Sequence, residues 1–255
     1  EPLYETLNNT ELTLDEHKQL KALCENLGID YLCTPFSAVA ADILDKELDL
    51  KAFKTGSGEL TNIPLLKHIA SKGRPMIIST GMALIEEIQE TVDAIKETGT
   101  PFALTHCVSA YPTPYNRVNL HNIPRYRELF NVPVGLSDHS IGIYTAIGSV
   151  ALGASIIEKH FTLDKLQSGP DHPVSLEPYD LGELVKGCCA VFEARGAKRE
   201  IFPEEEPIIA WARESVVSEI EIKKGTKITK DMVWVKRPSP APGAIPAKEL
   251  DKVIG

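Results

Sequence analysis

The 255-residue sequence lacks an excess of positive charge and any long apolar run. Its formal net charge of −9 argues against nucleic acid or an anionic membrane surface as the main partner. No apolar run approaches the roughly 20 residues that a membrane-spanning helix needs. An acidic surface still allows a locally positive cleft, so a small anionic substrate remains compatible with this composition.

The five cysteines lack both the spacing of a disulfide scaffold and that of a zinc site: Cys24, Cys33, Cys107, Cys188 and Cys189. Their odd number and apolar surroundings predict buried thiols in a reducing compartment. No signal-peptide pattern is visible, which says nothing about residues upstream of this chain. We therefore predict a cytoplasmic location.

Short apolar runs alternate with segments of helical periodicity from Thr13 to about Ala197. The runs predict six buried strands, at Asp30–Cys33, Ala52–Lys54, Pro75–Ser79, Phe102–His106, Val132–Gly135 and Ala154–Glu158. The periodic segments predict helices that include Asp15–Leu27, Ala38–Leu48, Ile63–Ser71 and Leu84–Glu97. Gly28, Gly73 and Gly99 follow helix ends, where a left-handed residue is expected. This order predicts an α/β fold with parallel strands.

A TIM-type (β/α)8 barrel is favoured over an open sheet because polar residues follow nearly every predicted strand. Six strand–helix units are fewer than eight, so we expect about two N-terminal units to lie outside this sequence. The barrel is predicted to occupy residues 1–197. A charged, Pro-containing linker is predicted at 198–214 and a small second domain, with strands around a turn, at 215–255.

Two histidines occupy the ends of neighbouring predicted strands. His139 follows the apolar run that ends at Leu136, and His160 follows the next run in the motif Glu-Lys-His. A lone histidine at either place could equally be a hydrogen-bonded core residue. Two imidazoles on adjacent strand ends can instead converge on one metal ion and leave open positions for water and substrate. His17 and His68 are expected to be solvated, while His106 and His121 stay open.

Hydroxyl groups and glycines recur after other strands. Lys54 precedes the sequence Thr-Gly-Ser57-Gly-Glu, in which glycines let the backbone approach a ligand and the lysine and serine can hold a phosphate. The alternative is a simple strand-to-helix turn. Ser79, Ser109 and Tyr111 repeat the pattern, which predicts a ring of neutral donors around a phosphorylated ligand. Asp171, in a turn, is a candidate for binding sugar hydroxyls or a metal-bound water.

Seven motifs together resemble the N-acetylneuraminate synthase family with its C-terminal antifreeze-like (SAF) domain. They are KTGSGELTNIPLL (54–66), ISTGM (78–82), CVSAYPTP (107–114), GLSDHS (135–140), EKHFTLD (158–164), GPDHPVSLEP (169–178) and, for the SAF domain, WVKRPSPAPGAIP (234–246). The resemblance implies a transferase that condenses phosphoenolpyruvate with an N-acetylated amino-sugar aldehyde. N-acetylmannosamine is the expected sugar, and legionaminate or pseudaminate synthesis is the alternative within the family.

The resemblance also implies roles for individual residues. His139 and His160 match the protein ligands of a divalent metal, expected to be Mn²⁺ with Mg²⁺ or Co²⁺ as alternatives, and Glu158 is expected to support them. The residues matched to phosphoenolpyruvate are Lys54, Ser57, Ser79 and Ser137, while Ser109 stands where bacterial relatives often carry Asn. The residues matched to the amino sugar are Glu59, Tyr111, Asp171 and Arg237.

Arg237 of the SAF domain is expected to reach the barrel of the partner subunit, which implies a domain-swapped homodimer. The family's N-terminal glutamate and its first phosphate-binding lysine have no counterpart in this sequence, and the SAF motif ends before its usual last strands. We therefore expect these 255 residues alone to have little or no activity. Two functions from other classes stay open: a Schiff-base aldolase with Lys54 as nucleophile, and a non-catalytic carbohydrate-binding scaffold.

Overall fold

Helices and strands alternate along the chain in the predicted manner. The computed structural model describes residues 2–196, 198–238 and 243–255, and the chain divides into units of residues 1–195 and 196–255. The helices of the first unit are α1 (Pro2–Asn9), α2 (Leu14–Asn26), α3 (Ala38–Leu48), α4 (Ile63–Ala70), α5 (Ile85–Lys96), α6 (Asn122–Phe130), α7 (Tyr144–Ala151) and α8 (Pro178–Ala194). Its strands are β1 (Phe53–Thr55), β2 (Met76–Ser79), β3 (Phe102–Cys107), β4 (Val134–Asp138) and β5 (Ile157–Lys159).

The five strands form one parallel sheet in the order in which they occur along the chain. The two edge strands nevertheless meet, because Lys54 Nζ on β1 lies 3.0 Å from Glu158 Oε1 on β5. In a flat sheet, four spacings of about 4.8 Å would separate these strands by roughly 19 Å. The sheet is therefore strongly curved, and the predicted α/β fold with a barrel-type sheet is confirmed as a half-barrel.

One predicted strand is wrong. Residues 30–35 have no strand conformation in the structure. A strand needs a hydrogen-bonded neighbour, and within the described residues β1 pairs with β2 alone. The apolar run at Asp30–Cys33 packs instead through the partly buried Tyr31 and Cys33 against the core. Before this segment, Pro2–Asn9 form α1.

The helices begin and end where local chemistry dictates. The Thr13 hydroxyl accepts a hydrogen bond from the Glu16 backbone N–H, and the Glu16 carboxylate accepts one from the Thr13 backbone N–H, which makes a capping box at α2. Asn62 caps α4 through the backbone N–H of Leu65. Gly73, which follows α4, has a φ of 72°. The predicted left-handed glycine after this helix is thus confirmed.

The outer face of the half-barrel carries the apolar core. Strand residues on this face pack against α3 to α6, and the largest fully buried side chains of this cluster include Phe53, Ile78, Leu104, Leu66, Ile69, Ile88, Ile95 and Phe130. Burial of each such side chain stabilises the fold by about 1.5–3 kcal/mol. The strands are therefore held from outside, and their inner face is available for polar residues.

The second unit begins at Gly196, two residues before the predicted linker. It contains α9 (Glu206–Ala212) and two antiparallel strands, β6 (Ser215–Ser218) and β7 (Val233–Lys236). The strands and their intervening turn agree with the predicted small domain, while α9 lies in the segment predicted as a linker. Residues 239–242 of the Pro-rich motif WVKRPSPAPGAIP (234–246) lie outside the described residues.

The cysteines differ from the predicted buried thiols. Cys107 is buried, but Cys189 is exposed and the other three are partly exposed. Cys188 and Cys189 lie in α8, part of which faces solvent. No helix in the described ranges is both long and apolar enough to cross a membrane.

Candidate active site

Polar side chains share the inner face of the half-barrel. Side chains alternate between the two faces of each strand, and paired residues of neighbouring strands share a face. The observed register therefore puts six of them on one face: Lys54, Ser79, Thr105, Cys107, Ser137 and Glu158. The opposite face carries Phe53, Ile78, Leu104 and Leu136, which belong to the core. One face of the sheet thus packs into the core, and the other carries polar side chains that can bind a ligand.

The two predicted histidines lie together just beyond the ends of β4 and β5. The ring centroids of His139 and His160 are 5.2 Å apart, with an angle of 70° between the ring planes. The Tyr111 ring lies 4.1 Å from the His139 ring and 5.6 Å from the His160 ring. Three residues from three different loops therefore form one cluster, as the sequence predicts for His139 and His160.

Hydrogen bonds orient both imidazoles. His139 Nδ1 lies 3.0 Å from the carbonyl oxygen of Val108. Because a carbonyl only accepts, Nδ1 carries the proton and Nε2 keeps a free lone pair. His160 Nδ1 lies 3.5 Å from Asp171 Oδ2, a carboxylate of the kind that orients many metal-binding histidines. In both residues Nε2 is left for a ligand.

Burial and neighbours shift the pKa values in this cluster. Burial lowers the pKa of His160, and the proximity of His139 adds to this effect although Asp171 opposes it. Burial also disfavours the charged form of His139, but its contacts with Cys107 and Val108 outweigh burial and raise its pKa. Burial likewise opposes ionisation of the Cys107 thiol, yet contacts with His139, Ser57 and Ser109 lower its pKa.

Two of the predicted hydroxyl groups lie beside Gly81. Its backbone N–H donates to Ser57 Oγ at 3.0 Å. A Cβ on Gly81 would lie 2.3 Å from Ser109 Oγ, 2.7 Å from Ser57 Oγ and 3.1 Å from Cys107 Sγ. Glycine is therefore required here for a close approach, and two of the predicted serines lie within reach of one small space.

The remaining predicted phosphate-binding serines are buried at the same end of the sheet. Ser79 Oγ is 2.8 Å from Thr105 Oγ1, and only 1% of Ser79 is exposed. Ser137 is 5% exposed and neighbours both Cys107 and Glu158 in the strand register. Lys54, whose Nζ pairs with Glu158, adds a positive charge to the same face of the sheet.

The structure does not gather every predicted site residue. Glu59 lies in a 3-10 turn, where its carboxylate accepts a hydrogen bond from Asn62 at 2.7 Å. Arg237 belongs to the second unit, where its Nε lies 3.7 Å from Glu214 Oε1 and its side chain is largely exposed. The Glu158 carboxylate, expected near the metal, pairs with Lys54 and is also close enough to His139 and His160 for its charge to favour their protonated forms.

Three of the other histidines make contacts outside the candidate site. His106 is buried on the helix-facing side of β3, where Nε2 lies 2.7 Å from the carbonyl oxygen of Val118. His68 and His17, expected to be solvated, have partners instead: His68 Nε2 lies 2.9 Å from Asp42 Oδ1, and His17 Nδ1 lies 2.6 Å from the Tyr31 hydroxyl. None of the three belongs to the inner face.

Sequence reasoning missed three residues of this region. Cys107 is treated there only as a buried thiol, although the strand alternation of β3 places it on the inner face beside His139. Asp138 and Lys159 stand next to the two histidines in the quoted motifs and form a buried ion pair at 2.9 Å. The sequence could have revealed this pair only if the register of β4 and β5 were known, because that register places Asp138 opposite Lys159.

The two imidazoles fit a divalent metal with open coordination positions. Because metal–imidazole bonds are about 2 Å long, rings with centroids 5.2 Å apart can share one ion. Within the described ranges no group of three or more His, Cys, Asp or Glu side chains is arranged to hold a metal, so water or substrate would complete the coordination. This donor set suits an ion such as Mn²⁺ or Co²⁺ better than Mg²⁺, which prefers oxygen ligands.

Comparison with known proteins identifies the family of each unit. Residues 1–200 match the NeuB family, and residues 213–255 match the SAF domain. The N,N'-diacetyllegionaminic acid synthase of Campylobacter jejuni is 40% identical over 96% of this chain and 73% of its own length. The human N-acetylneuraminate-9-phosphate synthase is 36% identical over 96% of this chain and 68% of its own length.

A solved structure gives the same result for the fold. The crystal structure of N-acetylneuraminic acid synthetase from Leptospira borgpetersenii serovar Hardjo-bovis, in complex with citrate, superposes with a TM-score of 0.74 at 36% identity. The match covers 78% of this chain and 70% of that one. The chain belongs to the NeuB family of synthases, and its second unit matches the SAF domain.

Proposed function

We propose that this chain is a nonulosonic acid synthase, which condenses phosphoenolpyruvate with the open-chain aldehyde form of an N-acetylated amino sugar. The observation that carries the proposal is the convergence of His139 and His160, with ring centroids 5.2 Å apart, on the same inner face as Lys54 and the hydroxyl ring. A cation site and an anion site next to each other suit the joining of an aldehyde to a phosphorylated enol.

Lys54 and the serines would hold the anionic substrate. The ammonium group of Lys54 neutralises phosphate or carboxylate charge. The buried Ser79 and Ser137 and the partly buried Ser57 and Ser109 donate or accept hydrogen bonds. Such preorganised groups act where the surrounding dielectric is low, so they stabilise developing charge better than water does. In this scheme Lys54 exchanges its contact with Glu158 for one with the substrate.

His139 and His160 would hold the divalent metal, proposed to be Mn²⁺, through the nitrogens that their hydrogen bonds leave free. When bound, the ion would polarise the aldehyde oxygen as a Lewis acid. Tyr111 lies against both rings and excludes water from one side of this region, while Asp171 orients His160. Glu59 and Asp171 are proposed to bind sugar hydroxyls, and Arg237 of the partner subunit is proposed to recognise the N-acetyl group.

The proposed reaction conserves all atoms. The methylene carbon of phosphoenolpyruvate attacks the aldehyde carbon and forms the new C–C bond, which leaves a cationic centre at the carbon that bears the phosphate. Water adds to that carbon, and one of its protons passes to the alkoxide that the aldehyde oxygen has become. The C–O bond to phosphate then breaks, the new hydroxyl becomes the keto group, and its proton leaves with the phosphate. The products are inorganic phosphate and a nine-carbon 2-keto sugar acid.

We propose N-acetylmannosamine as the sugar, which gives N-acetylneuraminate. A specific observation favours a second candidate, since the C. jejuni relative at 40% identity is named a legionaminic acid synthase. The name of the human relative adds a third possibility to be tested, a sugar that carries a phosphate group. These sugars differ in the groups that the loops after the strands would contact, so they belong in one substrate panel.

The test is phosphate release from phosphoenolpyruvate by the natural full-length protein, with Mn²⁺ and a panel of N-acetylated amino sugars. We expect release with one sugar, complete loss with EDTA, and restoration by added Mn²⁺. His160→Ala should reduce release by more than the roughly 10–100-fold typical of changes around metal ligands. His121→Ala, at an exposed histidine outside the site, is the matched control and should retain activity.

Isotope labelling checks the bond that breaks. With ¹⁸O-water, the label should enter the keto group of the product and not the phosphate, and label in phosphate would refute C–O cleavage. Metal-independent turnover with borohydride trapping at Lys54 would instead support the aldolase alternative. A folded, Mn²⁺-binding protein that releases no phosphate with any sugar would support the scaffold alternative.

A further inference from the structure

A buried ion pair lies directly behind the two histidines. Asp138 is the last residue of β4, and Lys159 is the last residue of β5. Lys159 Nζ lies 2.9 Å from Asp138 Oδ2, and their side chains are 3% and 1% exposed, respectively. Both project from the sheet face opposite the one that carries Ser137 and Glu158, because neighbouring strand residues alternate.

Every oxygen of the Asp138 carboxylate has a partner. Oδ1 accepts from the backbone N–H of Ser140 at 2.9 Å, and Oδ2 accepts from Thr145 Oγ1 at 2.7 Å as well as from Lys159. Lys159 Nζ also donates to the carbonyl oxygen of Ser140. The network thus joins the end of β5 to the end of β4, to the following loop and to the start of α7.

The position of this network matters for the histidines. The pairing of β4 with β5 ends at Asp138 and Lys159, so His139 and His160 lie one residue beyond the last paired position of each strand. The ion pair therefore links the two strands at their last paired position before His139 and His160. A shift of either strand end would change the distance between the two rings.

Stability alone is a weak reason for such a pair. Desolvation of two charges offsets much of their attraction, and an apolar pair of the same volume often serves the fold equally well. We propose that Asp138 and Lys159 are positioning residues, whose ion pair holds His139 and His160 at the separation needed to share one divalent cation. This inference rests on the proposed function, since it assumes the metal site at these two histidines.

The test measures metal binding rather than turnover. In the double variant Asp138→Asn/Lys159→Met both charges are removed, so no unpaired charge is left in the core. We expect this protein to fold, as judged by circular dichroism, and to bind Mn²⁺ at least 10-fold more weakly in a titration followed by electron paramagnetic resonance. With Co²⁺, its visible d–d absorption should differ from that of the wild type, because these bands report ligand geometry.

A conservative variant covers the case in which the double variant does not fold. Lys159→Arg keeps the positive charge beside Asp138 but replaces a compact ammonium with a planar, longer group. It should fold and bind Mn²⁺ several-fold more weakly. Lys72→Met is the matched control, since it removes a partly exposed ion pair with Asp42 of α3 that is far in sequence from both strand ends, and its Mn²⁺ affinity should equal that of the wild type.

The possible failures are distinguishable. If the folded variants bind Mn²⁺ with wild-type affinity and an unchanged Co²⁺ spectrum, while thermal unfolding of the metal-free protein shifts, the pair is merely structural and the positioning role is overturned. The proposed function then stands. If the wild type binds no Mn²⁺, or if His160→Ala leaves Mn²⁺ affinity unchanged, the metal site itself is wrong and the positioning role fails with it.

Discussion

Gly81 illustrates how a single residue without a side chain shapes the anion-binding region. The Oγ atoms of Ser57 and Ser109 occupy the space where a Cβ would project. A serine hydroxyl can rotate away from a methyl group at small cost, so the fold should accept an alanine. The rotated hydroxyls would then no longer face a common point, and the cost should fall on ligand binding.

We predict that Gly81→Ala raises the KM for phosphoenolpyruvate at least about 10-fold, the equivalent of about 1.4 kcal/mol of binding free energy. Its thermal unfolding temperature should change little. The measurement is steady-state phosphate release at varied phosphoenolpyruvate concentration. Gly182→Ala is the control, because Gly182 lies in α8 and no atom of the described residues lies within 4 Å of an added Cβ there. Equal KM values for the two variants would contradict the role assigned to Gly81.

His106 sets a pH dependence of stability. Burial lowers its pKa in the folded protein below the ordinary value of 6.5, and Nδ1 has no hydrogen-bond partner among the described residues. When the pH falls through 6.5, the unfolded chain takes up a proton that the folded protein resists. The unfolded state then binds more protons, so the free energy of unfolding decreases as the pH falls.

We therefore expect the urea midpoint of the wild type to fall more between pH 7.5 and 5.5 than that of His106→Gln, whose amide can still donate to the carbonyl of Val118. The comparison is made without metal, so that the other histidines contribute equally to both proteins. Parallel pH curves for the two proteins would show that His106 does not titrate in this range.

At the scale of the elements, the contact between β4 and β5 controls the site. A Cβ on Gly135 of β4 would lie 2.3 Å from the backbone oxygen of Ile156 and 2.9 Å from its carbonyl carbon. Unlike a serine hydroxyl, this backbone cannot rotate away. Any side chain at Gly135 must therefore push the two strands apart, a few residues before the strand ends that His139 and His160 follow.

Gly135→Ala should lower the free energy of unfolding by roughly 1–3 kcal/mol, as overpacking typically does, and should weaken Mn²⁺ binding. Gly182→Ala, in the exposed part of α8 with no atom within 4 Å of the added Cβ, should instead stabilise the protein by about 0.5–1 kcal/mol. Denaturant unfolding of both variants measures the difference. An unchanged stability for Gly135→Ala would mean that the strands adjust freely.

At the scale of the whole molecule, the family resemblance predicts how two chains assemble. Arg237 is expected to serve the barrel of the partner subunit, and its side chain is largely exposed within its own unit. A domain-swapped homodimer would then build each site from two chains. A variant of either contribution alone should inactivate both sites of a homodimer.

Mixed dimers test this arrangement. His160→Ala and Arg237→Ala should each be nearly inactive alone. When the two are co-expressed and heterodimers are purified with two different tags, one of the two sites receives an intact barrel and an intact arginine, so about half of the wild-type activity should return. Heterodimers without activity would show that Arg237 acts within its own chain, whereas an active Arg237→Ala homodimer would show that Arg237 has no role.

The sequence by itself determined the α/β alternation, five of the six predicted strands, and the pairing of His139 with His160. These follow from apolar periodicity and from chain order, which are local properties. It also predicted the serines and Lys54 as one group, because polar residues after parallel strands share one edge of a sheet.

Only the tertiary structure decided which apolar run is not a strand, because Asp30–Cys33 reads like the others until the pairing partners are known. It also decided the faces: Cys107 lies on the inner face and His106 on the outer, although they are adjacent in the chain. The contacts of Lys54 with Glu158 and of Asp138 with Lys159 depend on curvature and register. Both are set by the packing of the whole sheet, and no local pattern encodes them.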